Sequence, residues 1–241
     1  PGSYRHRRPL HRGWSCAGTQ GPSSLQGRER MILDEETLLK AAEILSARDA
    51  DLARVLQLYG PPPLWAREPG FAALVRIILE QQVSLASAKA AFERLKAATP
   101  LTPEGFLTLD DATLKAVGFS RQKMAYVRHL SQAILDGFDL DGLEHLDNVE
   151  ARNRLIELKG IGPWTADIYL LMCLRRPDVW PVGDLGLQLG MQRLKGLAAK
   201  LSALELEAIA QPWRPWRAVA ARILWHFYLS ALHPAGINPP A

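Results

Sequence analysis

A chain of 241 residues, 48% of them hydrophobic, can bury one sizeable core or two small ones, which excludes disorder throughout. It has no run of about 18 uninterrupted apolar residues that would read as a membrane span, and its two cysteines, Cys16 and Cys173, are too few for a disulfide framework, a structural zinc site or a four-cysteine iron–sulfur cluster. The net charge of +4 is concentrated: residues 1–30 hold six arginines against Glu29 alone, leaving 23 of the 29 basic and 24 of the 25 acidic residues for the rest, so any phosphate binding there has to come from local geometry.

Residues 1–30 mix Pro, Gly, Ser and Arg without apolar periodicity, which predicts a disordered tail or, given Pro1-Gly2-Ser3, a cloning remnant ahead of a natural start at Met31. No charged segment followed by an apolar run opens the chain, so the expected location is cytoplasmic, and nucleoid-associated in a bacterium. From Asp34 onward apolar residues recur at spacings of three and four behind polar caps. Asp34 is expected to cap a helix through Leu38, Leu39, Ala42 and Leu45. Residues 69–82 and 84–97 pattern as a helical pair, with Ser84 capping the second member. Ser120 precedes a helix carrying Met124, Val127, Leu130 and Ile134, and Asn148 opens one leading to Leu158. Ser202 and Glu205 form a capping-box pattern, and a last helix runs from about Trp216 to Leu232. No alternating run is long enough for a strand, so the fold class is all-α.

The most informative segment is Leu158-Lys159-Gly160-Ile161-Gly162-Pro163-Trp164-Thr165-Ala166. Glycines permit positive φ and close backbone approach, Pro163 suits the first position of a new helix, and the amides of such a turn can point at a phosphate. Ile161 would plug the turn into its own core. Gly-x-Gly alone also describes an ordinary helix–helix turn. Downstream lies Trp180-Pro181-Val182-Gly183-Asp184, twenty residues beyond Trp164, with a helical pattern from Leu185 to Leu194. An aspartate there is, taken alone, an N-cap.

Together these two segments resemble the helix-hairpin-helix base-excision DNA glycosylases whose Gly/Pro-rich loop ends in an aspartate. Within them the likeness is to the DNA-3-methyladenine glycosylase II group: Phe71 to Ser84 (FAALVRIILEQQVS), Gly118-Phe119-Ser120 with Lys123, and Trp213-Arg214-Pro215-Trp216-Arg217 through Trp225 extend it over roughly residues 34 to 232. The resemblance implies two helical lobes, 31–68 with 186–241 and 69–185, with the hairpin at 149–174, the catalytic loop at 177–184 and the active site in the cleft between the lobes. It implies a monofunctional glycosylase that flips an alkylated base of the 3-methyladenine type from double-stranded DNA and hydrolyses its N-glycosidic bond, leaving an abasic site.

Asp184 is the implied catalytic carboxylate, stabilising positive charge that develops on the sugar and orienting water. Bifunctional relatives carry a Schiff-base lysine where this chain has Trp164, so no lyase activity is expected. Trp164 and Trp225 are the implied aromatic walls for a cationic base, and Trp65, Trp180, Trp213 and Trp216 read as core. Where relatives place a further pocket tyrosine this chain has Ile168, with Tyr169 beside it as the candidate. Gln82 takes the position of the side chain that fills the gap left by the flipped base, although a surface glutamine in a helix–helix corner has the same pattern. Lys159, Gly160, Gly162, Thr165 and Lys123 are the remaining DNA-contact candidates. The carbonyls of Ile156, Leu158 and Ile161 are implied to hold a structural Na+ or K+, with no catalytic metal or cofactor, and the chain is expected to be a monomer off the membrane. Two alternatives stay open: a glycosylase for mismatched or deaminated bases, and a non-catalytic hairpin DNA-binding protein.

Overall fold

The computed structural model describes residues 31–232, so the expectations for residues 1–30, Cys16 included, lie outside the described residues. Among the described residues there are twelve α-helices and no strand, as the periodicity predicts. They are α1 Glu35–Arg48, α2 Ala50–Tyr59, α3 Phe71–Glu80, α4 Leu85–Ala98, α5 Pro103–Leu107, α6 Asp111–Val117, α7 Arg121–Leu135, α8 Asn148–Ile156, α9 Pro163–Met172, α10 Leu185–Leu194, α11 Ala203–Ala210 and α12 Arg217–Leu232.

Side chains that can replace a lost backbone partner set the helix starts. Asp34 accepts the Thr37 amide at 2.8 Å, Ser84 that of Ser87 and Ser120 that of Lys123, while Ser202 and Glu205 close a full capping box. The start of α8 differs by one residue from expectation: Asp147 is its cap, and Glu150 completes a second capping box that binds the helix end from both sides. Helix α3 stops at Glu80, two residues early, because Gln82 turns to φ +56° ahead of the Ser84 cap.

The helices pack in two groups. α12 lies against α1, α2 and α10, while α3 contacts α4, α7 and α9, with α5 on α7 and α8 on α9. α9 is buried on nearly every side, from Thr165 through Met172, which is the behaviour of a helix apolar all round. Fully buried Leu38, Leu45, Leu74, Ile77 and Ile78 anchor the surrounding helices, each such side chain contributing about 1.5–3 kcal/mol. Arg222 ties the groups together: without any exposed surface, it donates from α12 to the carbonyls of Leu64, Ala218 and Leu171, and burial pushes its pKa down to about 9. No described helix is long and apolar enough to cross a membrane.

Candidate active site

The hairpin joins α8 to α9. Gly160 sits at φ +89°, a conformation that disfavours any Cβ, and a Cβ there would also run into the Tyr126 ring packed over the turn. Ile161 is 3% exposed and plugs the turn as expected. Gly162 and Pro163 start α9 without a side-chain cap, three residues after the exposed Lys159. An uncapped helix N-terminus carries partial positive charge and unpaired donors, which suit an anion.

Asp184 caps α10, and the cap is only part of its environment. Its Oδ1 accepts the Leu187 amide at 2.9 Å and Trp225 Nε1 at 2.9 Å, and its Oδ2 accepts Trp164 Nε1 at 2.8 Å. The carboxylate thus joins the start of α9, on one side of the packing division, to the start of α10 and the middle of α12 on the other. A carboxylate has about four acceptor sites. Two donors saturate Oδ1, whereas Oδ2 keeps a lone pair for a further partner. Gly186 gives this arrangement room: a Cβ at that position would sit tightly, 3.1 Å from Asp184 Oδ1 and 3.3 Å from the Trp225 ring.

Trp164 and Trp225 therefore both hold the Asp184 carboxylate. Trp225 is 8% exposed, with Trp65 edge-on at a ring-centroid distance of 6.3 Å, and serves chiefly to hold the carboxylate. Trp164 is half-buried, and its indole N–H donates to Oδ2.

Three expectations are corrected by the geometry. Tyr169 is 1% exposed and its hydroxyl accepts the Gly70 amide at 3.0 Å, so it is a core residue that closes the start of α3; burial raises its pKa well above the usual tyrosine value. Ile168, at the corresponding family position, is equally buried. Thr165 is 2% exposed and turns its hydroxyl inward, accepting Gln81 Nε2 at 2.9 Å, so its side chain does not face a phosphate. Lys123 directs its ammonium at the carbonyls of Leu79 and Gln81, at 2.7 and 2.8 Å, and desolvation lowers its pKa. It closes the C-terminus of α3. Gln82, by contrast, is exposed at the tip of the turn between α3 and α4, flanked by Val83 and Leu85 at 47% and 45% exposure.

Sequence reasoning missed Gly186 and Gln81, and gave Trp65 as core without its contacts. Gly186 carried a signal, since a glycine inside a helix costs about 1 kcal/mol relative to alanine and asks for a reason. Gln81 carried none beyond its neighbour. Trp65, read as core, takes φ +49° and packs against both Trp225 and His226, which nothing local in Pro63-Leu64-Trp65 foretells. Trp180 and Trp213 are core, as expected.

Comparison with known proteins places the chain in a family. The chain is 32% identical over 202 residues to DNA-3-methyladenine glycosylase 1 of Schizosaccharomyces pombe, covering 78% of this chain and 87% of that protein. Its fold superposes with a TM-score of 0.73 on the 3-methyladenine DNA glycosylase Mag1 of the same yeast in complex with abasic DNA, at 29% identity over 82% of this chain and all of that one. It superposes with a TM-score of 0.65 on a DNA-3-methyladenine glycosidase from Bacillus halodurans, at 29% identity over 82% and 92% of the two chains. The family model described as HhH-GPD superfamily base excision DNA repair protein matches residues 75–215, more than half of the chain. With its hairpin, its loop aspartate and these relatives in agreement, the chain belongs to the HhH-GPD superfamily of base excision DNA repair proteins.

Proposed function

We propose that the chain is a monofunctional DNA glycosylase that excises alkylated bases of the 3-methyladenine type from duplex DNA, with Asp184 as its catalytic carboxylate. The observation that carries this reading is the Asp184 carboxylate fixed between Trp164 and Trp225. Cleaving the glycosidic bond leaves positive charge on the deoxyribose, and a negative group held in place before the reaction stabilises that charge without reorganising. The free lone pair on Oδ2 is the position from which to orient water. Trp164 presents its open face to the flipped base, where a cationic alkylated purine gains about 0.5–2 kcal/mol. That is modest. The rest of the selectivity comes from the weakened bond of the lesion itself.

The nucleophile is water. Trp164 stands where a Schiff-base lysine would be needed, and the amine of Lys123 is engaged by carbonyls. The uncapped start of α9, with Gly160, Gly162 and Lys159, grips a phosphate, and Gln82 enters the gap left by the flipped base. The carbonyls of Ile156, Leu158 and Ile161 would hold a Na+ or K+ beside that phosphate. Neutral oxygens at the negative end of α8 fit such an ion, and the Leu158 oxygen accepts a single amide, that of Ile161 at 3.0 Å. The ion would supply charge for phosphate binding only. The enzyme works as a monomer.

Incubation with methylated DNA, followed by chromatographic identification of released bases, tests the proposal. Free methylated purines are the expected product. In parallel duplexes carrying uracil or a mismatch, release of those bases without release of methylated purines would move the chain to the deaminated-base reading, and binding without any release would make it a non-catalytic module.

A further inference from the structure

Gln82 is a non-glycine residue held at φ +56°, a conformation that persists only where the surroundings over-determine it. Two side chains supply that constraint. Lys123, from α7, donates to the carbonyls of Leu79 and Gln81, the acceptors on either side of the point where α3 gives way to the turn. Gln81 uses both hydrogens of its amide, one on the Gly160 carbonyl at 3.0 Å and one on Thr165 Oγ1 at 2.9 Å. Gly160 is the tip of the hairpin and Thr165 lies in the first turn of α9. Tyr126, one helical turn beyond Lys123 on α7, covers Gly160 from the other side. The residue immediately before Gln82 is thereby fastened to the element that faces a phosphate, and α7 braces both.

We propose that Gln81 and Lys123 are positioning residues that lock the Gln82 turn to the hairpin, so that phosphate binding and insertion of Gln82 into the duplex act as one rigid unit. This rests on the reading of Gln82 as the gap-filling side chain. A turn already held in its working conformation loses little freedom when it enters the base stack, which lowers the cost of keeping the lesion extrahelical.

The test is single-turnover excision of one methylated lesion placed in duplex and in single-stranded oligonucleotides of the same sequence, measured for the wild type, Gln81→Ala, Lys123→Met, Lys123→Arg, Gln82→Ala and the doubles with Gln82→Ala. Gln81→Ala and Lys123→Met are each expected to lower the duplex-to-single-strand rate ratio by about tenfold, in keeping with the sensitivity of rate to small misplacements. Lys123→Arg, which can still reach both carbonyls, restores most of it. Added to Gln82→Ala, neither Gln81→Ala nor Lys123→Met lowers the ratio further, because the side chain they position is gone. The single-strand rate reports folded enzyme in every preparation, so damage to the fold appears as equal loss on both substrates. Equal loss, or full additivity with Gln82→Ala, overturns the lock. If Gln82→Ala leaves the ratio at the wild-type value, the gap-filling reading itself fails. If it lowers the ratio and Gln81→Ala and Lys123→Met do not, the lock alone fails.

Discussion

Replacing Asp184 by asparagine probes the arrangement at its most constrained point, because the two side chains have the same shape and differ in one acceptor and one charge. The asparagine amide can place its oxygen at the Oδ1 position and keep both the Leu187 amide and Trp225 Nε1. Its NH2 then lies at the Oδ2 position, donor against donor with Trp164 Nε1, which at present donates across 2.8 Å. The flipped orientation sets one NH2 against two donors and is worse. An unpaired buried donor costs about 1–3 kcal/mol, which at roughly 2–4 °C per kcal/mol lowers the melting temperature by about 2–12 °C. The rate effect is larger. Losing a single preorganised hydrogen-bond donor costs about 2.7–4 kcal/mol, and losing a full charge costs at least that, so base release should slow by a hundredfold to a thousandfold or more at 1.36 kcal/mol per tenfold. Single-turnover release of methylated purines measures it, with binding to an abasic-site duplex as the control and expected to stay within a few-fold. Trp164→Phe removes the donor to Oδ2 together with one ring of the indole while keeping an aromatic side chain, and should give an intermediate loss of at least ten- to a hundredfold, in line with about 1.5–3 kcal/mol for a hydrogen bond to a charged group. An Asp184→Asn enzyme retaining more than about a tenth of the wild-type rate would refute the assignment of the charge to catalysis.

Borohydride is expected to trap no covalent enzyme–DNA complex, and product strands should stay intact until alkali is added; a trapped adduct, with Lys159 the first residue to test, would show an amine nucleophile instead of water. Tyr169→Phe should lower stability in urea unfolding by about 1–3 kcal/mol, since the Gly70 amide loses its acceptor, and leave the profile of released bases unchanged. A changed profile would return Tyr169 to the base pocket. Gly160→Ala forces a Cβ into the Tyr126 ring at φ +89° and should weaken binding to abasic duplex at least tenfold, read by fluorescence anisotropy; unaltered binding would remove the hairpin tip from the DNA interface.

Local chemistry explains why so much was legible in the residue order alone. Caps such as Asp34, Ser84, Ser120 and Ser202 act on amides two or three residues away, so their effect is written within a few positions of themselves. The hairpin is equally local: Gly160, Ile161, Gly162 and Pro163 each answer a backbone or burial requirement of the same short turn. Asp184 was recognisable by its distance from that turn and by family likeness, and its role as a helix cap by its position before Leu185.

What no local pattern contained was the direction in which a side chain points once helices distant in sequence pack together. Thr165, Tyr169 and Lys123 carry the right functional groups for DNA or base contact, yet tertiary packing aims all three inward. The Gly70 N–H and the Leu79 and Gln81 carbonyls gain side-chain partners this way, and the Gln81 amide gains its second after the Gly160 carbonyl, and that demand decides the side-chain direction. The same holds for the Asp184 carboxylate. Trp164 and Trp225 are separated by about sixty positions in the chain and were legible as aromatic residues, but only the meeting of α9 with α12 across α10 brings both indole N–H groups onto one carboxylate and leaves a side chain at position 186 only a tight fit. Residue order determines which helices form and where they begin; long-range packing decides which of their polar groups remain available for DNA.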